Sequence, residues 1–108
     1  MNFELTDDQR ALQALCRDFA RKEIIPNRDE WNTSGRFPVE VFRKMADLGL
    51  MGLLVPEEYG GTGVGAVAYV GAMEEIGKAD QSVASTWNAH LTIGSLPILY
   101  FGTEAQKR

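Results

Sequence analysis

Four glycines within six positions form the stretch of this chain whose spacing comes nearest to that of a ligand site. Gly60, Gly61, Gly63 and Gly65 precede a predicted helix, and glycines at such a place let backbone N–H groups approach a phosphate. A dinucleotide-binding fingerprint, however, follows a strand, and an NTPase phosphate loop carries Lys and then Ser or Thr after its last glycine. Ala and Val follow Gly65 instead. We therefore expect a tight structural turn, with a phosphate cradle as the alternative.

The other reactive side chains do not form a recognisable catalytic set. Cys16 lies on the apolar stripe of a predicted helix, so we interpret it as a small buried hydrophobic residue. A single cysteine excludes an internal disulfide, and no metal-ligand spacing is present. Glu74 and Glu75 are helical neighbours that point about 100° apart, which favours a solvated edge or a structural ion pair over acid–base chemistry. The lone His90 has no evident nucleophile to serve.

Composition limits the kind of protein. The chain has 108 residues, 44% of them hydrophobic and 24% charged, with a net charge of −4. These values are typical of one ordinary globular domain. An acidic chain without a Lys/Arg run lacks the basic surface that nucleic-acid binding needs, so we expect no nucleic-acid partner. Polar, acidic sequence follows Met1 directly, so we expect no targeting segment and a cytoplasmic, bacterial protein.

The elements that must position these residues are predicted to be helices, separated by glycine and proline. Thr6 and Gln9 form a capping box, and apolar residues then recur at spacings of three and four. The predicted inner face of this first helix consists of Leu12, Leu15, Cys16, Phe19 and Ala20. Pro26 ends or kinks it, and residues 27–35 are rich in turn formers.

Two further helices follow. Pro38 is placed at the first position of the second helix and Gly49 at its end. Its predicted inner face consists of Val41, Phe42, Met45 and Leu48. Residues 50–55 are predicted to be a buried apolar connector before Pro56. The third helix is predicted from about Val64 to Ile76, with Val67, Val70, Met73 and Ile76 or Gly77 facing inward.

The fourth helix lies in a span of 23 positions, Gln81 to Thr103, without a formally charged side chain. Its many hydroxyl and amide side chains make it too polar for lipid, so we expect no transmembrane segment and predict the central helix of a bundle. One stripe at i, i+3, i+4 and i+7 consists of Thr86, Ala89, His90 and Ile93. Tight helix packing with His90 hydrogen-bonded in the core explains such a stripe, and so does the wall of a ligand cavity.

A second capping box, Thr103 with Gln106, begins a fifth helix close to the last residue. The sequence therefore predicts an all-α segment of four helices plus the start of a fifth.

Four motifs occur in an order and spacing that resemble the N-terminal helical domain of the acyl-CoA dehydrogenase family. They are LTDDQRALQ with RDFARKEIIP, then GLMGLLVPEEYGGTGVG, EEIGKADQSVAS and FGTEAQKR. The resemblance covers essentially the whole chain, so residues 1–108 are expected to be that domain. It also implies that a middle β domain and a C-terminal helical domain lie outside this segment.

The resemblance implies a flavoenzyme that oxidises the Cα–Cβ bond of an acyl-CoA thioester with FAD, and that passes electrons to an electron-transfer flavoprotein. It also implies a homo-oligomer, a dimer or tetramer. The family's catalytic base and flavin contacts belong to the other two domains, so no catalytic or cofactor-binding residue is assigned here. The loosely matching fourth helix implies an acyl-pocket wall made by Thr86, Ala89, His90 and Ile93. Two alternatives remain: a free-standing helical interaction module, and a related flavin enzyme such as an acyl-CoA oxidase.

Overall fold

The computed structural model describes all 108 residues and contains helices and turns without any strand. The α-helices are α1 Asp7–Phe19, α2 Arg28–Ser34, α3 Val39–Asp47, α4 Ala66–Ala79, α5 Gln81–Ala89, α6 Leu96–Phe101 and α7 Glu104–Lys107. Two π-helical turns, Ala20–Ile24 and His90–Ser95, and two 3₁₀ turns, Leu50–Gly52 and Glu57–Tyr59, complete the secondary structure. The all-α prediction is confirmed.

The first helix begins where its capping box predicts. Gln9 N donates to Thr6 Oγ1 at 3.2 Å, and Thr6 N donates to Gln9 Oε1 at 2.9 Å. The helix continues beyond Phe19 through the π-helical turn, in which Ile25 N donates to Ala20 O. Helical structure stops before Pro26, which has no N–H to donate. Leu15, predicted to face the core, is 37% exposed, whereas Cys16, Phe19 and Ala20 are buried.

The polar stretch of residues 27–35, for which the sequence predicts no helix, contains one. α2 buries one residue, Trp31, and ends at Gly35, whose φ of 71° is left-handed. Gly35 N donates to Trp31 O at 2.9 Å. A two-turn helix with a single apolar residue has no periodicity to detect, and tertiary contacts of Trp31 supply its stability.

The second predicted helix is α3, which starts one residue later than expected. Pro38 is its N-cap and Val39 its first residue, and Gly49 takes the predicted left-handed conformation at φ 80°. Val41 and Met45 are buried. Leu48, however, is 44% exposed, because the α-helix has already ended at Asp47.

The third predicted helix, α4, is shifted and rotated relative to the prediction. Val67 and Val70, expected to face inward, are each 59% exposed. The buried side consists of Ala68, Ala72, Glu75, Ile76 and Ala79. α4 packs against α1 and α5, and three alanines on that side let the neighbouring helices approach closely, which larger valines would prevent.

The core lies between α1, α3, α4 and α5. Its largest fully buried side chains are Trp87, Ile24, Met45, Leu50, Ile76, Leu91, Val83 and Cys16. The domain measures 41 × 38 × 20 Å, and a helix with its side chains is about 10–12 Å across. The helices therefore form no more than two layers, and each keeps an outer face.

Candidate functional site

The fourth predicted helix is a continuous helical run of α5, the π-helical turn and α6. Asp80 caps it, accepting a hydrogen bond from Ser82 N at 2.8 Å. Only one face is buried, through Val83, Ala84, Trp87 and Leu91. Within these residues the predicted central helix is therefore covered on one face only.

Trp87 anchors this run in the core. Its side chain is fully buried, and its indole Nε1 donates to Leu50 O at 2.8 Å. Tyr69 packs edge-on against the Trp87 ring with centroids 6.3 Å apart, and its hydroxyl donates to Asn88 Oδ1. Trp87 thus sets the rotation of α5 and does not line the outer face.

The four stripe residues lie on the face turned away from the core. Thr86 and His90 are exposed, Ala89 is half-buried, and Ile93 is 74% exposed. Within these residues the stripe does not mediate packing between helices, and the ligand-cavity explanation stays a prediction. An exposed isoleucine on the same helical run as further exposed apolar residues, Ile98, Tyr100 and Phe101, is typical of a surface that another element covers.

His90 is held by one backbone contact. Its Nε2 lies 3.0 Å from Met51 O, in the 3₁₀ turn that follows α3. The imidazole borders a cavity of about 310 Å³, whose apolar side includes Val55, Ile98 and Leu99. The core hydrogen bond expected for His90 is therefore present as a contact with a backbone carbonyl, but at an exposed position.

The π-helical turn at His90–Ser95 has an identifiable cause. Pro97 lies in the first turn of α6 and has no N–H to donate to the preceding turn. Ser95 Oγ donates to His90 O, five residues back, at 2.8 Å. Such π turns within a helix often occur at functional sites, and this one begins at the stripe residue His90.

The glycine segment forms the predicted structural turn. Four successive N–H groups are already used inside the chain: those of residues 61, 62, 63 and 64 donate to Pro56 O, Gly52 O, Val55 O and Leu53 O at 2.8–3.1 Å. A Cβ on Gly61 would lie 2.0 Å from Val55 O. Gly60 and Gly63 take left-handed φ angles of 88° and 61°. The N–H groups of residues 61 to 64 are therefore not available to a phosphate.

The predicted start of a fifth helix exists and is tied to the glycine segment. Gln106 N donates to Thr103 Oγ1 at 3.2 Å, as the capping box requires. Tyr59 OH lies 3.0 Å from both carboxylate oxygens of Glu104, and Lys107 Nζ lies 5.8 Å from the centroid of the Tyr59 ring. The hydrogen bond to Glu104 raises the pKa of Tyr59. The sequence carried no signal for this contact, because its partners are 45 positions apart.

Of the two neighbouring glutamates on α4, Glu75 forms a structural ion pair. Glu75 is 5% exposed and accepts hydrogen bonds from Arg17 on α1, whereas Glu74 is exposed. These contacts, together with one from Lys78, hold the pKa of Glu75 below its usual value. Cys16 is fully buried, as predicted, and burial raises the pKa of its thiol to about 12.

No group of three or more His, Cys, Asp or Glu side chains is arranged to hold a metal ion. None of the helices combines the length and the apolar character that crossing a bilayer would require.

Comparison with known proteins agrees with this architecture. The family profile described as "Acyl-CoA dehydrogenase, N-terminal domain" matches residues 6–108. The chain is 46% identical over 108 residues to the probable acyl-CoA dehydrogenase YngJ of Bacillus subtilis, covering 100% of this chain and 28% of that protein.

Two solved structures superpose on nearly the whole chain. Butyryl-CoA dehydrogenase from Megasphaera elsdenii gives a TM-score of 0.90 at 37% identity, covering 99% of this chain and 29% of that one. A chain from a structure described as the electron transferring flavoprotein of Acidaminococcus fermentans gives a TM-score of 0.94 at 36% identity, covering 99% and 28%. The capped helices, the glycine turn and the profile match thus agree, and the chain belongs to the acyl-CoA dehydrogenase family as its N-terminal helical domain.

Proposed function

We propose that the whole protein is an FAD-dependent acyl-CoA dehydrogenase, and that the stripe of Thr86, Ala89, His90 and Ile93 forms part of its acyl-pocket wall. The chain spans 28% of the length of its relative YngJ. The flavin, the base that removes the α-proton and most CoA contacts are accordingly assigned to residues beyond these 108. An electron-transfer flavoprotein is the proposed electron acceptor, and a homo-oligomer the proposed assembly.

The observation that carries the pocket assignment is the outward position of the stripe. Ile93 is 74% exposed on a helix that contains no charged side chain from Gln81 onward. An uncharged face left open by its own domain is suited to an apolar substrate once other parts of the protein enclose it. A small residue, Ala89, at the centre of the face leaves room for an acyl chain.

FAD supplies a hydride acceptor when bound, which no side chain can do. The residues of this chain contribute to binding and orientation only. Trp87 and Leu50 fix the rotation of α5, so the stripe and not the core face is presented outward. Apolar groups such as Ile93 exclude water from the acyl chain, which strengthens the electrostatic interactions at the reacting carbons.

The test uses the full-length protein. We expect purification with a bound-flavin absorption spectrum, bleaching of that spectrum by an acyl-CoA under anaerobic conditions, and recovery on addition of an electron-transfer flavoprotein. Absence of flavin, or a flavin that no acyl-CoA reduces, would contradict the proposal. Rapid reoxidation by molecular oxygen in place of the flavoprotein would indicate an acyl-CoA oxidase.

A further inference from the structure

The outer helical run, which comprises the π-helical turn His90–Ser95 and α6, has little attachment to the core. Just before it, Trp87 Nε1 donates to Leu50 O at 2.8 Å. Leu91 is buried, but α6 buries none of its residues. Core packing therefore fixes the first end of the run and does not determine where α6 lies.

Tyr59 holds the other end of the run through α7. Two residues, 102 and 103, separate α6 from α7. Tyr59 OH lies 3.0 Å from both carboxylate oxygens of Glu104, and it donates to this carboxylate. Lys107 Nζ and Arg108 Cζ lie 5.8 and 5.5 Å from the centroid of the Tyr59 ring, within the range of cation–π contacts. These three contacts form a clasp around α7, a four-residue helix that is too short to be stable alone.

Tyr59 and Leu50 belong to one internally bonded segment. The N–H groups of residues 61–64 donate to carbonyl oxygens within residues 52–56 at 2.8–3.1 Å. The segment of residues 50–64 therefore contacts the chain on both sides of the outer helical run, through Leu50 O before it and through Tyr59 after it.

We propose that Tyr59 is a positioning residue for the outer helical run and, through it, for the stripe residue Ile93; its effect on acyl-CoA binding rests on the proposed function. When the clasp is closed, both ends of the run are fixed. When it opens, Trp87 remains as the hydrogen-bonded attachment at the first end only. The hydrogen bond to Glu104 also raises the pKa of Tyr59, so the hydroxyl stays protonated and able to donate.

The first test measures how often the clasp opens in the full-length protein. The Lys107 side chain is 19% exposed, so trypsin should cut the Lys107–Arg108 bond from a state in which α7 is released. Tyr59→Phe removes the hydroxyl and should accelerate this cleavage by about tenfold, the size of one hydrogen bond to a charged group. Tyr59→Ala also removes the ring and should accelerate it further. Tyr100→Phe makes the same chemical change on a side chain that is 67% exposed and lies outside the clasp, and it should leave the rate unchanged.

Glu104 provides the conservative rescue. Glu104→Gln keeps an oxygen that accepts from Tyr59 OH, so it should be cleaved more slowly than Glu104→Ala. The Glu104 side chain is 67% exposed, so Glu104→Ala also serves in place of Tyr59→Ala should that variant fail to fold.

The second test measures the effect of the clasp on the substrate. In flavin-loaded Tyr59→Ala, KM for acyl-CoA esters should rise by at least about threefold and kcat should be retained, because saturating substrate selects the closed clasp. The melting temperature of each variant is measured alongside. A tyrosine with a merely structural role would lower the melting temperature and leave KM unchanged.

The possible results decide between separate conclusions. Equal cleavage rates in Tyr59→Phe and Tyr100→Phe would overturn the clasp, and equal rates in Glu104→Gln and Glu104→Ala would overturn the role of its hydrogen bond. Faster cleavage with an unchanged KM would overturn the positioning role. A full-length protein that oxidises no acyl-CoA would overturn the proposed function and the positioning role with it, whereas the cleavage rates would still decide whether the clasp exists.

Discussion

Arg17 on α1 and Glu75 on α4 form a bidentate contact that joins two helices 58 positions apart in the sequence. Arg17 Nη2 donates to Glu75 Oε1 at 3.0 Å, and Arg17 Nε donates to Glu75 Oε2 at 3.3 Å. Glu75 is 5% exposed, whereas the Arg17 side chain is 46% exposed. Lys78 Nζ lies 3.3 Å from the same carboxylate. The carboxylate is therefore buried and in contact with two cationic side chains.

Glu75→Gln should destabilise the chain by about 1–2 kcal/mol, because it removes charge-assisted hydrogen bonds at a buried position. Since the folded-state pKa of Glu75 is lowered from 4.5, its contribution is complete above that pH and is lost as pH falls through the folded pKa. Thermal unfolding at fixed protein concentration, recorded from pH 7 to pH 3, measures both effects.

The matched control is the adjacent carboxylate. Glu74 is exposed, so Glu74→Gln should change stability by no more than about 0.5 kcal/mol. Equal effects of the two substitutions, or an unchanged acid dependence in Glu75→Gln, would show that the ion pair does not contribute as described.

Gly61→Ala should destabilise the chain by about 1–3 kcal/mol or more, because the new methyl group would meet backbone atoms. Its Cβ would lie 2.0 Å from Val55 O and 2.6 Å from Gly52 O. Gly71→Ala is the control, since no atom lies within 4 Å of its Cβ position. Because Gly71 lies inside α4, this change should stabilise by roughly 0.5–1 kcal/mol. Urea unfolding of both variants measures the two changes in the free energy of unfolding. If both changes have the same sign, the described turn is refuted.

Ala89→Phe in the full-length protein should act on long substrates only. If the side chain borders the acyl cavity, a phenylalanine displaces several methylenes, each worth about 0.8 kcal/mol, and lowers kcat/KM for long acyl chains by tens of times. Short substrates should be spared. The measurement is kcat/KM for acyl-CoA esters of increasing chain length, together with the melting temperature of the variant. A uniform loss with a lowered melting point would show that Ala89 packs against protein instead.

The 108-residue chain by itself should neither bind FAD nor oxidise an acyl-CoA. The N–H groups of residues 61 to 64 in the glycine turn are used within the chain, and the proposed function assigns the flavin contacts to other domains. The purified chain should be colourless and show no flavin fluorescence after incubation with FAD and desalting. A bound-flavin spectrum would contradict this prediction.

The isolated chain should also self-associate. Ile93, Tyr100 and Phe101 are 74%, 67% and 88% exposed and lie along one helical run. Sedimentation velocity should show an average mass that rises with protein concentration. The substitution Phe101→Ser should reduce this self-association. A monomer whose cooperative unfolding does not depend on protein concentration would contradict self-association through this apolar face.

Local signals in the sequence determined three of the helix boundaries. Thr6 with Gln9 and Thr103 with Gln106 cap helices through atoms three residues apart, and Gly49 ends a helix through its own φ angle. These interactions are nearly independent of the rest of the fold, so the sequence alone sufficed for them. The tight glycine turn was predictable for the same reason, since the left-handed φ angles of Gly60 and Gly63 depend on the glycines themselves.

Only the tertiary structure decided which faces are buried. Hydrophobicity ranks Val67 and Val70 above the alanines of α4, yet the alanine face is inside, because α1 and α5 must approach α4 closely. The rotation of α5 depends on Trp87 meeting Leu50 O, 37 positions away. That distant contact turns the stripe of Thr86, Ala89, His90 and Ile93 outward. Helical periodicity alone could not predict this orientation, because it shows which residues share a stripe but not which stripe faces the core.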